Sequence, residues 1–386
     1  MTLVLVLIFT TIVASLMISG HSSELRHSKG ALWALYTYHL FFSLVYYVWA
    51  LANNSDSKAY YRDTLQGRRG ESWLEVYDFG TPFIEFLAYP FIKGLGLPYI
   101  SVMFLFGFFG FVGFFYLYLF VTEQVQFRHK LLGIDVVLLL FFLPIAHFYS
   151  ASLGKGAVIL AGMGLLFYGL NRIGKRLVFL LIGVFIVLHV RAHIMAAVCG
   201  AAVLAAVFSN KGIKNWQKVV IVVVSLAALG PLFQQTFAYV GVDATDSEAI
   251  EEWSEKRTTD LKKANSAVDI DNYSQPMKLF TFLFRPLFID SPNALGLVVS
   301  VENFIYLILF LRCFSPRFLR FIIQAPWMIK MALTTFFVVS IALAQISSNM
   351  GIAIRQKSQV TYLFVLVLLA YADYAYRTER KVVIGE

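Results

Sequence analysis

The chain has 386 residues, of which 59% are hydrophobic, 16% aromatic and only 14% charged, with a mean hydropathy of +0.71. No water-facing globule of this size carries that balance, so lipid is the expected solvent and an all-α, polytopic membrane bundle the expected fold. The net charge of +9 comes from small groups of Lys and Arg between apolar stretches, which excludes the basic run of a nucleic-acid binder, and two isolated cysteines, Cys199 and Cys313, exclude a disulfide scaffold.

Taken in chain order, the apolar runs predict about eleven transmembrane helices, near residues 2–20, 31–52, 99–121, 131–148, 156–170, 177–190, 194–208, 219–234, 294–311, 326–346 and 360–376. The first run has no basic residue ahead of it, so a retained helix is expected there rather than a cleaved signal. One set of alternate loops holds 16 cations, among them Arg26, Lys29, Arg128, Arg172 and Arg176, whereas the short loops between them hold 4, Lys155, Arg191, Arg355 and Lys357. The positive-inside bias assigns the first set to the cytoplasm, with the N-terminus outside and the C-terminus inside. No repeat period or Pro/Ser-rich linker divides the chain, so residues 1–386 read as a single membrane domain.

Two long outer loops, 53–98 and 235–292, carry 16 of the 23 acidic residues, which points to substrate handling on that face as readily as to a solvated surface. In the first, Asp56, Tyr60 and Asp63 share one face of a short helix beginning at the bilayer boundary. There Asp56 can serve as a general base or cation ligand, or it and Ser55 can simply cap the helix. The stretch 86–97 is too short to cross and is broken by Pro90, so an interfacial or re-entrant helix is expected.

In the middle of the chain, residues 177–190 span only about 21 Å as helix against about 30 Å of hydrocarbon, which recesses the turn His189 to His193. Lys155 sits about 24 Å along a helix from Arg172, below the outer surface by the same reasoning. An outward polar recess bordered by Lys155 and Arg191 follows, suited to an anion such as a lipid pyrophosphate, although snorkelling accounts for either cation taken singly. His189 and His193 lack the accompanying Glu of a zinc-protease helix, so a metal is not expected there. Arg285 has a structural partner available in Asp290, and Arg355 precedes Gln356 and Lys357, the last suited to lipid headgroups. No P-loop, nucleophile elbow or dinucleotide fingerprint is present.

The segments 56–61, 143–155, 190–193, 284–286 and 351–357 together resemble bacterial polysaccharide polymerases of the EpsG-like and O-antigen-polymerase-like (Wzy-type) families, which are related to C-type (GT-C) glycosyltransferases. The resemblance covers most spans in order, with Ala192 standing where the pattern has Pro between Arg and His. It implies a GT-C-like bundle in the bacterial inner membrane that transfers polyprenyl-(pyro)phosphate-linked saccharide on the outer face, alongside other polysaccharide-assembly proteins. It further implies Asp56 and Arg191 as catalytic residues, and Tyr60, Lys155, His193, Arg285, Arg355 and Gln356 as substrate-binding ones. No nucleotide cofactor is implied, and a divalent cation at Asp56 is left open. A lipid-linked saccharide flippase is the alternative; a carrier would place its polar residues near the midplane of broken helices, whereas these gather at helix ends.

Overall fold

The computed structural model describes the chain except residues 128–129, 132, 244–245, 247, 254–255, 257–267, 271, 292–293 and 385–386, so Arg128 and the centre of the second long loop lie outside the described residues. The chain is 78% helical. Among the described residues seven helices are long and apolar enough to cross a membrane, or nine if two bent helix pairs each count as one span. Backbone contacts gather the chain into two compact units, Met1–Glu123 with Arg128–Ala192, and Gln124–Phe127 with His193–Glu386.

The first unit contains α1 (Thr2–Gly20), α2 (Lys29–Ala52), α3 (Asp56–Leu65), α4 (Thr81–Tyr89), α5 (Tyr99–Gln124, whose last residue belongs to the second unit), α6 (Val136–Leu140), α7 (Pro144–Ser150), α8 (Lys155–Asn171) and α9 (Ile173–Val190). Helix α5 is the core: 78% of its apolar window is buried, against 22% for α1, whose Val4, Leu5, Ile8, Phe9 and Ile12 remain exposed, as a lipid-facing helix requires. Glycines let α5 and α8 touch at backbone distance, since a Cβ on Gly113 would lie 2.5 Å from the Leu160 carbonyl and one on Gly164 2.5 Å from the Gly113 carbonyl oxygen.

Residues 131–148 do not form the single span that their hydropathy predicts. A two-stranded hairpin pairs β1 (Lys130–Leu131) with β2 (Ile134–Asp135), and the short α6 and α7 follow. The physical cause is local: Asp135 caps α6 by accepting from Val137 N (2.9 Å) while bound to Arg26 (3.1 Å), and Pro144 opens a new helix after Leu143. Helices α7 and α8 then meet at a 112° bend. Helix α9 (Ile173–Val190) is kinked at Arg176, whose φ/ψ (−129°, 27°) is non-helical, so the helix that follows the kink covers the expected residues 177–190.

The second unit contains α10 (Ala192–Val207), α11 (Asn215–Val240), α12 (Gln275–Phe284), α13 (Ala294–Leu311), α14 (Pro316–Gln324), α15 (Trp327–Ala344), α16 (Met350–Lys357) and α17 (Thr361–Ile384). Helix α11 continues past residue 234 to Val240, so the second long loop begins later than its polar composition indicated. Helices α15 and α17 pack together at the centre of this unit, and α16 meets α17 at a 53° bend. Helix α14 is amphipathic, burying Phe318 and Phe321 against Tyr371 and leaving Leu319 and Ile323 exposed, as suits a helix lying along a membrane surface between two spans.

Candidate functional site

Loop 53–98 folds back on the first unit. Helix α3 starts at Asp56, which is exposed, and Ser55 occupies the cap position without bonding the backbone; its hydroxyl instead meets Ser57 (2.6 Å), which in turn meets the Tyr99 hydroxyl (2.6 Å). One turn beyond Asp56, the buried ring of Tyr60 lies against Gly154, where a Cβ would be 3.5 Å from Cε2. Gly154 is the residue before Lys155, so the Asp56 helix packs on the break between α7 and α8, where Lys155, half-buried, is the first residue of α8. A cation at that position reinforces the positive end of the α8 dipole, which makes it a place for an anion.

Helix α4 reaches α9. Pro90 does not end it, because the chain passes through helical φ/ψ at Pro90 into a single π-helical turn, Pro90–Gly94, that absorbs the missing N–H. Ahead of α4, Gly80 adopts φ 76°, a conformation other residues avoid, and its N–H donates to the His189 carbonyl (2.7 Å). His189 Nδ1 donates to the Phe185 carbonyl (2.8 Å), which leaves Nε2 to accept from the Tyr77 hydroxyl (2.6 Å), and the Phe79 ring stacks on the imidazole at 4.7 Å. His189 is thus fully engaged by the loop. Two residues on, Arg191 ends α9 in extended φ/ψ (−153°, 85°) and is only 8% exposed, so the helix breaks here without a proline.

Glu85 was not singled out from the sequence. It is 1% exposed, takes a hydrogen bond from Arg69 Nε (2.9 Å), and among the described residues its Oε1 meets no partner. Burial pushes its carboxyl above the usual carboxylate range, and Arg69 only partly opposes the shift.

His193, Arg285, Arg355 and Gln356 belong to the second unit. His193 is exposed near the start of α10. Arg285 follows α12, pairs with Asp290 as the sequence allowed, and points NH1 at the Tyr273 hydroxyl (3.5 Å). Gln356 accepts from Ser347 Oγ (3.2 Å). Lys357, read above as a headgroup ligand, is instead 4% exposed and donates to the Leu283 carbonyl (2.8 Å), Asn303 Oδ1 (2.7 Å) and the Arg285 carbonyl (3.4 Å). This ammonium fastens α16, with Arg355 and Gln356, beneath the Arg285 turn. Nothing in the sequence marked Asn303 as its partner, 54 residues away.

Among the described residues no group of three or more His, Cys, Asp or Glu side chains is arranged to hold a metal. Set against family models, curated proteins and solved structures, the chain matches none.

Proposed function

We propose that the chain is a membrane glycosyltransferase of the EpsG-like, O-antigen-polymerase-like kind, with a GT-C-like bundle in the bacterial inner membrane and its N-terminus outside. It joins polyprenyl-(pyro)phosphate-linked saccharides on the outer face. The observation that carries this reading is the junction of α3 with the α7–α8 break, where a helix headed by exposed Asp56 packs through Tyr60 beside Lys155. A carboxylate and a cation at one end of one unit are what a glycosyl transfer from a lipid pyrophosphate needs.

In this mechanism Asp56 takes the proton of the acceptor hydroxyl as its oxygen bonds to the donor's anomeric carbon. The bond from that carbon to the pyrophosphate oxygen breaks, and Lys155 and Arg191 neutralise the charge that develops on the departing lipid pyrophosphate. Tyr60, on the same helix as Asp56, holds that helix beside Lys155 within the first unit. The test is to delete the gene and profile lipid-linked intermediates and surface polymer by mass spectrometry. Single repeat units accumulating on the outer-leaflet lipid support polymerisation; unchanged intermediates with normal polymer length overturn it. The two bent helix pairs, at 112° and 53°, also suit a flippase, because carriers build sites on interrupted helices. Repeat units confined to the inner leaflet would select that alternative.

A further inference from the structure

Charge is handled differently at two basic places in this chain. In the first unit three of the arginines between spans are matched by acids: Arg176 bonds Glu123 (2.7 Å) and Glu24 (2.6 Å), Arg172 meets Glu123 (3.2 Å), and Arg26 meets Asp135 (3.1 Å). In the second unit, Lys330 lies in the first turns of α15, 8% exposed, and its ammonium donates to the carbonyls of Phe208 (2.7 Å) and Ile323 (3.0 Å). Those bonds leave one of its three N–H donors over. Trp327 N donates to the Lys211 carbonyl (2.9 Å), which draws the 208–214 turn onto the start of α15, and Lys211 and Lys218 both lie within electrostatic range of the Lys330 ammonium.

Among the described residues no carboxylate pairs with these three charges. The stretches that build the cluster, residues 136–242 and 303–372, contain no Asp or Glu at all. The N-termini of α11 and α15 also open here, adding the positive ends of two helix dipoles. Two ammoniums gathered about a largely buried third is an unfavourable arrangement unless an anion joins them. The surroundings identify the kind of anion. Phe208 and Ile323, whose carbonyls Lys330 holds, leave their own side chains 70% and 66% exposed, and Trp216 in the first turn of α11 is exposed as well. Apolar side chains standing out beside cations mark the level of the headgroups, where aromatic rings and ammoniums meet lipid phosphate.

We propose that Lys211, Lys218 and Lys330 form a binding site for the phosphate headgroup of an anionic membrane phospholipid, independent of the glycosyl-transfer reading. The lipid phosphate accepts from the spare Lys330 donor and from the two outer ammoniums, while its acyl chains run beside Phe208 and Ile323.

The test uses the full chain in detergent, titrated separately with phosphatidylglycerol, phosphatidylcholine and inorganic phosphate, with bound lipid counted by native mass spectrometry. Phosphatidylglycerol should bind in preference to phosphatidylcholine. Lys211→Gln and Lys218→Gln should each weaken it about fivefold, in line with one cation's attraction to an anionic surface. Both lysines are at the surface edge of the cluster and hold no carbonyl through their side chains, so the variants should fold. Lys29→Gln, which removes a cation from a different basic loop, should leave binding unchanged. Equal retention of the two lipids, an equal loss in Lys29→Gln, or displacement of phosphatidylglycerol by equimolar inorganic phosphate would each overturn the proposal.

Discussion

Lys357 and Asp56 are both charged residues at helix ends, and burial separates their roles. Lys357 satisfies two carbonyls and an amide oxygen inside the second unit, so Lys357→Met should lower the thermal unfolding midpoint in detergent, at about 1–3 kcal/mol for each buried acceptor left without a partner. Asp56 is exposed, and in the general-base role proposed for it Asp56→Asn should reduce polymer synthesis by about 100-fold or more, the usual loss when such a base is removed; the assay is turnover of lipid-linked repeat units. Glu85 gives a pH dependence. Its pKa in the folded loop lies above the ordinary 4.5, so its contribution to stability is fully present at low pH and is lost as pH rises through the folded value. Glu85→Gln should therefore flatten the rise of amide exchange in α4 as pH increases above 4.5, measured against wild type after correction for intrinsic exchange.

Helices in this chain meet where small residues permit it. The α5–α8 contact at Gly113 and Gly164 has no room for a side chain, because the atoms facing Gly113 are the backbone of Leu160 and Ala161. Gly113→Val should destabilise by about 1–3 kcal/mol through overpacking, read as a lower unfolding midpoint, whereas Gly230→Ala on α11, where nothing lies within 4 Å, should not. Element existence was legible from hydropathy for most spans; α1 and α13 run over the residues expected. The misses are at breaks. The run 131–148 is uniformly apolar apart from Asp135 and His147, and hydropathy cannot weigh a capping carboxylate bound to a distant Arg26 against helix continuation. Arg176 marks a kink: its backbone is non-helical, Glu24 and Glu123 bind its guanidinium, and a short turn from Ile173 precedes the expected helix.

At the scale of the whole molecule, orientation can be tested directly. In a chain carrying Cys199→Ser and Cys313→Ser, a cysteine introduced at Asn54 should react with an impermeant maleimide added outside intact cells, and one at Lys214 should react only after lysis; the reverse pattern would invert the assigned topology. Contacts within the first unit agree with alternate helix ends. Glu24, Glu123 and Arg176 meet at one end, while Ser57 with Tyr99, Tyr60 with Gly154 and Tyr77 with His189 meet at the other. The sequence by itself determined the solvent, the helical class and most of the spans, because each depends on composition within a run of some twenty residues. It also singled out Asp56, Lys155 and Arg191, charged residues at the ends of apolar runs. Tertiary structure alone decided that Lys357 is an internal fastener, that Glu85 is buried under Arg69, that loop 53–98 engages His189, and that Lys330 is met by two further lysines and, among the described residues, by no acid. Those outcomes rest on partners tens to more than a hundred residues apart, and the cost of leaving a buried polar group unpaired is settled only when the chain has brought such partners together.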